Sequence, residues 1–309
     1  MSPESVRPTF GLIIVGDEIL SGRRADKHLA RVIELLGARG LQLAWAEYVG
    51  DEPARITAVL RRAFASGDAV FCTGGIGATP DDHTRPCAAA ALGVPLVLHP
   101  EAKALIQARM QDTARERGEP YEPERPDNLH RLNMGVFPQG ATLIPNPYNK
   151  IPGFSCVGMA PDTAAAVTPS AARPPEGASA PLGGSATGEA VKRGGIHFTP
   201  GFPVMAWPMI EWVLDTNYRH WFSAGTWQER SVIILGAMEG TLTPVMQRVE
   251  AAHPQVKVFS LPSVDHPQYG AHIDLGVKGA PEAVAPAYAD LRRWLEPFGL
   301  RYGPEIVRP

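Results

Sequence analysis

Thr73-Gly74-Gly75-Ile76-Gly77-Ala78-Thr79-Pro80-Asp81-Asp82-His83-Thr84 follows directly on the apolar run Ala69-Val70-Phe71-Cys72, so a buried strand delivers a glycine-rich turn and two adjacent carboxylates. Glycines let backbone N–H groups approach an anion, and a helix starting near Asp82 or Thr84 would add its positive dipole end. Two carboxylates beside a phosphate repel it unless a cation lies between them, and Mg²⁺ takes one or two carboxylates together with phosphate oxygens. The stretch therefore reads as a phosphate site with a divalent metal at Asp81 and Asp82. It also reads, more plainly, as a turn with a helix cap.

The flanking sequence favours the site. Phe10-Gly11-Leu12-Ile13-Ile14-Val15 has the unbroken apolar character of a strand buried on both faces, and Gly16-Asp17-Glu18-Ile19-Leu20-Ser21-Gly22 forms the loop after it. A helix is expected from about Asp26, with Leu29, Val32, Ile33 and Leu36 on its buried face, then a strand Leu41 to Val49. Asp51 opens a helix carrying Ile56, Val59, Leu60 and Phe64. Alternating strands and helices predict a mainly parallel sheet covered on both faces. In such a sheet the loops after the strands share one edge, so Asp17 and Glu18, Asp51, and Asp81 and Asp82 are expected to converge on one crevice. Neither the GxxxxGK[ST] loop nor the GxGxxG fingerprint is matched there, and a different phosphate fold is required.

Composition excludes several classes. The 309 residues are 44% hydrophobic and 20% charged, with a formal charge of −3 and a pI near 6.3, so there is no electrostatic footprint for nucleic acid. Phe10 to Val15 is too short for a membrane span or a signal h-region, and the expected compartment is the cytoplasm. Cys72, Cys87 and Cys156 form neither an even disulfide set nor a CxxC pair and read as buried reduced thiols.

Gly16-Asp17-Glu18-Ile19-Leu20-x-Gly22, Val49-Gly50-Asp51, and Thr73-Gly74-Gly75-x-Gly77 through Pro80-Asp81-Asp82-x-Thr84 resemble the molybdopterin-binding domain family of MoaB and Mog, and most nearly the amino-terminal part of CinA-type proteins. Pro138-x-Gly140-Ala141, Asn146-Pro147, Pro152-Gly153-Phe154 and Pro200-Gly201-x-Pro203 resemble later blocks of that domain, so the resemblance covers residues 8 to 222. It implies a three-layer α/β/α domain whose Thr-Gly-Gly loop holds a terminal phosphate of a pterin or nucleotide. It also implies catalytic roles for Asp82 and Asp51, and a ligand-binding set of Thr73, Gly74, Gly75, Gly77, Thr84, Asp17, Glu18 and Asp26. Family chemistries include adenylylation of molybdopterin and, for CinA-type domains, metal-dependent pyrophosphate cleavage of ADP-ribose. Both would use Mg²⁺ or a similar ion as a Lewis acid worth several kcal/mol, against about 0.3–2 kcal/mol from a helix terminus alone. The implied partners are a small phosphorylated metabolite, with molybdopterin among the candidates, and further copies of the chain as a dimer or trimer.

Several positions depart from the family pattern. Ala78 stands where proline is usual, His28 where asparagine is, Asn149-Lys150-Ile151 where Gly-Thr-Ala is, and Met205 where glutamate follows Pro-Gly-x-Pro. Lys150 is either an added phosphate ligand or a solvated lysine. The Ala-, Pro-, Ser- and Gly-rich segment 158–195 reads as a flexible insertion. A helix after Pro203 is expected to place Met205, Met209, Trp212 and Val213 on one face, with Trp207 and Trp212 in core or subunit packing rather than base stacking.

Domain boundaries are expected at 1–224 and 225–309. The second part has the order βαββα (strand 232–235, helix 239–252, strands 256–261 and 271–277, helix 281–295), a small α+β sandwich. His253, His266 and His272 match no zinc spacing and read as surface or strand histidines. The amidase domain of full-length CinA, with its Glu-Ser-Cys-Thr-Gly-Gly type of motif, is absent from these residues.

Overall fold

The computed structural model describes residues 8–157, 195–222 and 227–308. The chain divides into two compact units, Met1–Leu36 with Gln42–Trp221, and Gly37–Leu41 with Phe222–Pro309.

In the first unit, β1 (Phe10–Val15), β2 (Leu43–Val49), β3 (Ala69–Thr73) and β8 (Gly195–Thr199) run parallel. The segments β6 (Thr142–Ile144) and β7 (Gly153–Val157) extend the sheet antiparallel, giving the order β2-β1-β3-β8-β7-β6. The connecting helices are α1 (Asp17–Leu20), α2 (His28–Gly37), α3 (Pro53–Ser66), α4 (Thr84–Leu92), α5 (Pro100–Arg117), α6 (Pro126–Arg131) and α7 (Pro203–Asn217). A small ladder of β4 (Leu96–Leu98) and β5 (Val136–Pro138) lies outside the main sheet.

Alternation along the strands builds the layers. Ile13, Val15, Val70, Cys72, Ile196 and Phe198 face Ile56, Val59, Leu60 and Ala63 of α3 and Cys87 and Ala88 of α4 in one core. The rings of Phe137, Phe154 and Phe198 stack through it at 4.6 and 4.4 Å. On the other face Phe71 meets His197, Phe10 meets Tyr218 edge-on at 5.2 Å, and α2 and α7 are joined by Arg31 and Glu211 at 3.0 Å. This is the expected α/β/α arrangement with a mainly parallel sheet. The three cysteines are free and buried.

Two expected faces differ. The buried stripe of α2 is His28, Val32, Leu35 and Leu36, and Ile33 is exposed. His28 rather than Leu29 heads the stripe, its Nε2 3.0 Å from Gly201 O. On α7 the buried set is Ala206, Met209, Ile210, Val213 and Leu214, which leaves Trp212 exposed.

The second unit contains β9 (Gln228–Leu235), α8 (Glu239–Ala252), β10 (Lys257–His266), β11 (Gly270–Gly279), α9 (Pro281–Leu295) and a further strand, β12 (Arg301–Arg308). The sheet is antiparallel in the order β10-β11-β9-β12, and the helices share its Val232, Ile234, Leu275 and Val277 core. The order is thus βαββαβ rather than βαββα. Gly303 and Pro304 hide β12 from a sequence reading; it is an edge strand whose register shifts between Tyr302 and Glu305. His253 pairs with Asp290 at 3.0 Å, while the His266 and His272 rings meet at 5.1 Å. Of the expected insertion 158–195, only Gly195 lies within the described residues, as the first residue of β8. Among the described residues no helix is long and apolar enough to cross a membrane.

Candidate functional site

Four loops meet at one edge of the parallel sheet because β1, β2, β3 and β8 all end there. The glycine loop leaves β3 at Thr73, which pairs in register with Ile14 on one side and Thr199 on the other. Gly74 has φ +99°, and a Cβ there would sit 2.2 Å from the Val15 carbonyl oxygen. Gly75 has φ +67°, and its Cβ would sit 2.2 Å from Thr84 Oγ1. Only glycine fits either position.

Thr84 closes the loop. Its N–H donates to Gly75 O at 3.0 Å and its buried hydroxyl to Gly74 O at 2.9 Å. Gly74 N–H donates to Thr199 O at 3.0 Å, tying the loop to the end of β8. The hydroxyls of Thr73 and Thr199 are buried without a hydrogen-bond partner among the described residues. Each retains a donor for a group entering at this edge.

The carboxylates separate into two sets. Asp17 and Asp51 bond each other's backbone, Asp17 N–H to Asp51 Oδ2 at 2.9 Å and Asp51 N–H to Asp17 Oδ1 at 3.1 Å. Burial raises the Asp51 carboxyl above its ordinary range, and the charges of Asp17, Glu18 and Asp81 push it further up against the Asp17 N–H bond. Asp82 instead accepts from Thr79 N–H at 2.8 Å and the Thr79 hydroxyl at 2.5 Å. The exposed Asp81 carboxyl lies below its usual range, through the neighbouring Thr79 side chain first and then its own backbone N–H. Glu18 lies 3.6 Å from Arg24.

Asp26 has another role. Its oxygens accept from His28 N–H at 2.8 Å, Leu29 N–H at 3.1 Å and the Tyr48 hydroxyl at 2.9 Å, which makes it the cap of α2. Lys150 forms an ion pair with Asp112, so its ammonium already has a carboxylate. Met205 receives the Asn149 amide on its sulfur at 3.3 Å, joining the two blocks that depart from the family pattern.

Three residues at this edge lie outside the expected site set. Arg85 is buried, donates to Gly77 O, and leaves Nε without a partner. Burial lowers its pKa while the charge of Asp82 opposes that shift. The signal was a cation on the stripe Arg85, Ala88, Ala89 of a helix otherwise rich in alanine. His130 donates from Nε2 to Ala78 O at 2.7 Å, bringing α6 to the loop. His28 is buried with Nε2 3.0 Å from Gly201 O; a carbonyl only accepts, so Nε2 carries the proton and Nδ1 is left an acceptor without a partner.

Among the described residues no group of three or more His, Cys, Asp or Glu side chains could hold a metal ion. Two carboxylates, Asp51 and Asp81, are close enough to act on each other, and Mg²⁺ takes one or two carboxylates where phosphate oxygens complete its shell.

A family model described as a probable molybdopterin binding domain matches residues 11–220. The chain belongs to that family, the MoaB/Mog molybdopterin-binding domains. A protein of Pyrobaculum calidifontis is 27% identical to this domain and its carboxy-terminal unit over 292 residues, 94% of this chain and 95% of its own. A CinA-like protein of Desulfovibrio desulfuricans is 35% identical over 147 residues, 48% of this chain. That match spans about a third of the CinA-like protein, 32% of its length. Among solved structures, CinA from Thermoplasma acidophilum aligns over 67% of this chain and 97% of its own, with 24% identity and a TM-score of 0.47. MoaB from Thermus thermophilus aligns over 68% and 91%, with 19% identity and a TM-score of 0.36.

Proposed function

We propose that this MoaB/Mog domain binds a phosphate of a phosphorylated pterin or nucleotide at Thr73–Gly77 and cleaves a pyrophosphate of the ADP-ribose class in a metal-dependent reaction. The observation that carries this reading is the Asp17–Asp51 pair standing at the same sheet edge as the glycine loop, near enough for Asp81 to act on Asp51. Such accumulated negative charge opposes a phosphate unless a cation joins them.

Asp51 and Asp81, two carboxylates close enough to act on each other, would hold a divalent ion such as Mg²⁺ together with the substrate's phosphate oxygens, and the ion would supply Lewis-acid stabilisation of charge on the phosphoryl oxygens. The chain's own groups do the rest. Backbone N–H groups of the loop orient the phosphate, and the Thr73 and Thr199 hydroxyls offer donors beneath it. Asp82, kept in place by Thr79, takes a proton from the attacking water. The water oxygen bonds to one phosphorus, the bridging P–O bond breaks, and the departing phosphate carries away the electron pair, giving AMP and ribose 5-phosphate. The buried Arg85 guanidinium holds the Gly77 carbonyl and balances the charge of Asp82.

A second reading rests on Met205. The thioether at a position where glutamate is usual fits a domain that keeps the phosphate pocket, with molybdopterin or a nucleotide as ligand, and does no chemistry. The proposed setting is cytoplasmic, as a homodimer or homotrimer. AMP release from ADP-ribose with Mg²⁺, Mn²⁺ or Co²⁺ separates the readings. Metal-dependent release that disappears in Asp82→Asn supports hydrolysis; ligand binding without release in the wild type supports the second reading.

A further inference from the structure

The turn after β8, Pro200-Gly201-Phe202-Pro203, brings an aromatic ring to the glycine loop. A Cβ on Gly201 would stand 3.4 Å from Gly74 Cα, so the chain before the ring rests on the loop. Phe202 is 54% exposed, immediately before α7. The Arg24 guanidinium lies over its ring, 5.6 Å from the centroid. Arg24 is in turn fixed to the acidic edge: its side chain is 3.6 Å from Glu18, and its N–H donates to Glu18 O at 2.9 Å. One ring is thus tied through its backbone to the glycine loop and through Arg24 to Glu18.

Single exposed apolar side chains are ordinary on protein surfaces. Phe202 differs in following a turn that rests on the glycine loop and in carrying a cation over its ring. Leu20 and Val204 are also more than half exposed, and Leu20 Cδ1 would lie 3.5 Å from a Cβ on Gly50, beside the Asp17–Asp51 pair. Small-molecule sites combine polar groups that fix orientation with apolar side chains that supply contact area. A phenyl ring with a guanidinium over it offers a flat heterocycle both a stacking surface and a nearby cation.

We propose that Phe202 is the specificity-determining residue of this site: its ring stacks on the planar heterocycle of a ligand whose phosphate is held at Thr73–Gly77, with Arg24 bracing the ring. The ligand class is a planar heteroaromatic phosphate, a purine nucleotide or a pterin phosphate. The inference rests on the phosphate-loop reading above and adds the part of the ligand that the ring selects.

The test is calorimetric titration of wild type, Phe202→Ala and Phe202→Trp with AMP, 6-hydroxymethylpterin phosphate and ribose 5-phosphate, each with Mg²⁺. Because Phe202 is largely exposed, both variants are expected to keep the wild-type melting temperature. Loss of one stacking partner is expected to weaken AMP or the pterin phosphate about ten-fold or more, to leave ribose 5-phosphate within about two-fold, and to be restored by Phe202→Trp. Whichever heterocycle shows the loss names the ligand source. Unchanged affinity for both heterocycles in Phe202→Ala, or equal weakening of all three ligands, overturns the stacking role while leaving the phosphate site standing. Failure of all three to bind the wild type removes the phosphate-loop reading and this inference with it.

Discussion

Asp17 and Asp51, 34 positions apart in sequence, each accept a hydrogen bond from the other's backbone N–H, at 3.1 and 2.9 Å. The bonds lock the loops after β1 and β2 together and hold two carboxylates side by side. Folding therefore creates a local excess of negative charge that the unfolded chain does not have.

Stability at Asp51 should run with that charge. Burial first, then Asp17, Glu18 and Asp81, raise the folded carboxyl above its unfolded value. A raised acid pKa means the fold prefers the protonated form, so the ionised group costs stability above the folded pKa and the cost fades as pH falls through it. Asp51→Asn keeps an acceptor for Asp17 N–H. Without metal it is expected to melt at or above the wild type at pH 7, with the two converging in the acid carboxylate range; a lower melting temperature at pH 7 would contradict this.

Thr84 is expected to be a structural requirement of the loop. Thr84→Val removes the donor to Gly74 O from a buried position and should cost about 1–3 kcal/mol in urea denaturation, whereas Thr84→Ser should keep most of that stability. No loss in Thr84→Val together with a clear loss in Thr84→Ser would show that the methyl packing, and not the hydroxyl, matters.

Arg85 separates stability from binding. Replacing a buried guanidinium by an apolar chain of similar length removes a desolvation cost along with the bond to Gly77, so Arg85→Met should change unfolding free energy by only about 1 kcal/mol. Phosphate-ligand affinity should fall about ten-fold, since a charge-assisted bond to the loop is lost. Calorimetry and denaturation on the same variant test both halves.

His197 predicts an acid-side slope. Its Nδ1 lies 2.8 Å from Ser155 Oγ and its Nε2 2.7 Å from the Tyr218 hydroxyl, and burial pushes its pKa down to about 3. The unfolded chain takes up a proton as pH drops below about 6.5 while the folded chain does not, so stability is lost as pH falls from there toward 3. His197→Gln is expected to lose less stability than the wild type between pH 7 and pH 4.5, measured by urea midpoints. Parallel profiles would assign the slope to other groups.

The parts of this fold that sequence reveals are those where local pattern and tertiary environment agree. Phe10–Val15 and Ala69–Thr73 read as strands because they are buried on both faces, and the glycines after Thr73 mark a loop that admits no side chain. β12 was not legible because Gly303-Pro304 breaks the strand pattern that edge pairing then tolerates. Ile33 and Trp212 carry the right periodicity but lie just off stripes set by their neighbours.

Within the site, residue type is legible and partnership is not. The Asp17–Asp51 convergence follows from parallel topology, but nothing local distinguishes Asp26, which caps α2, from an acid that faces a ligand. Arg85 stands in the first turn of α4, and its burial against the Gly77 carbonyl is what sets it in the site.

The most direct measurement is the affinity of AMP for the wild type and for Asp51→Asn, each with Mg²⁺ and with EDTA. The account predicts tighter binding with Mg²⁺ in the wild type and the loss of that gain in Asp51→Asn. Equal affinity with Mg²⁺ and with EDTA in the wild type would contradict a phosphate site that joins its ligand to the acidic edge through a cation.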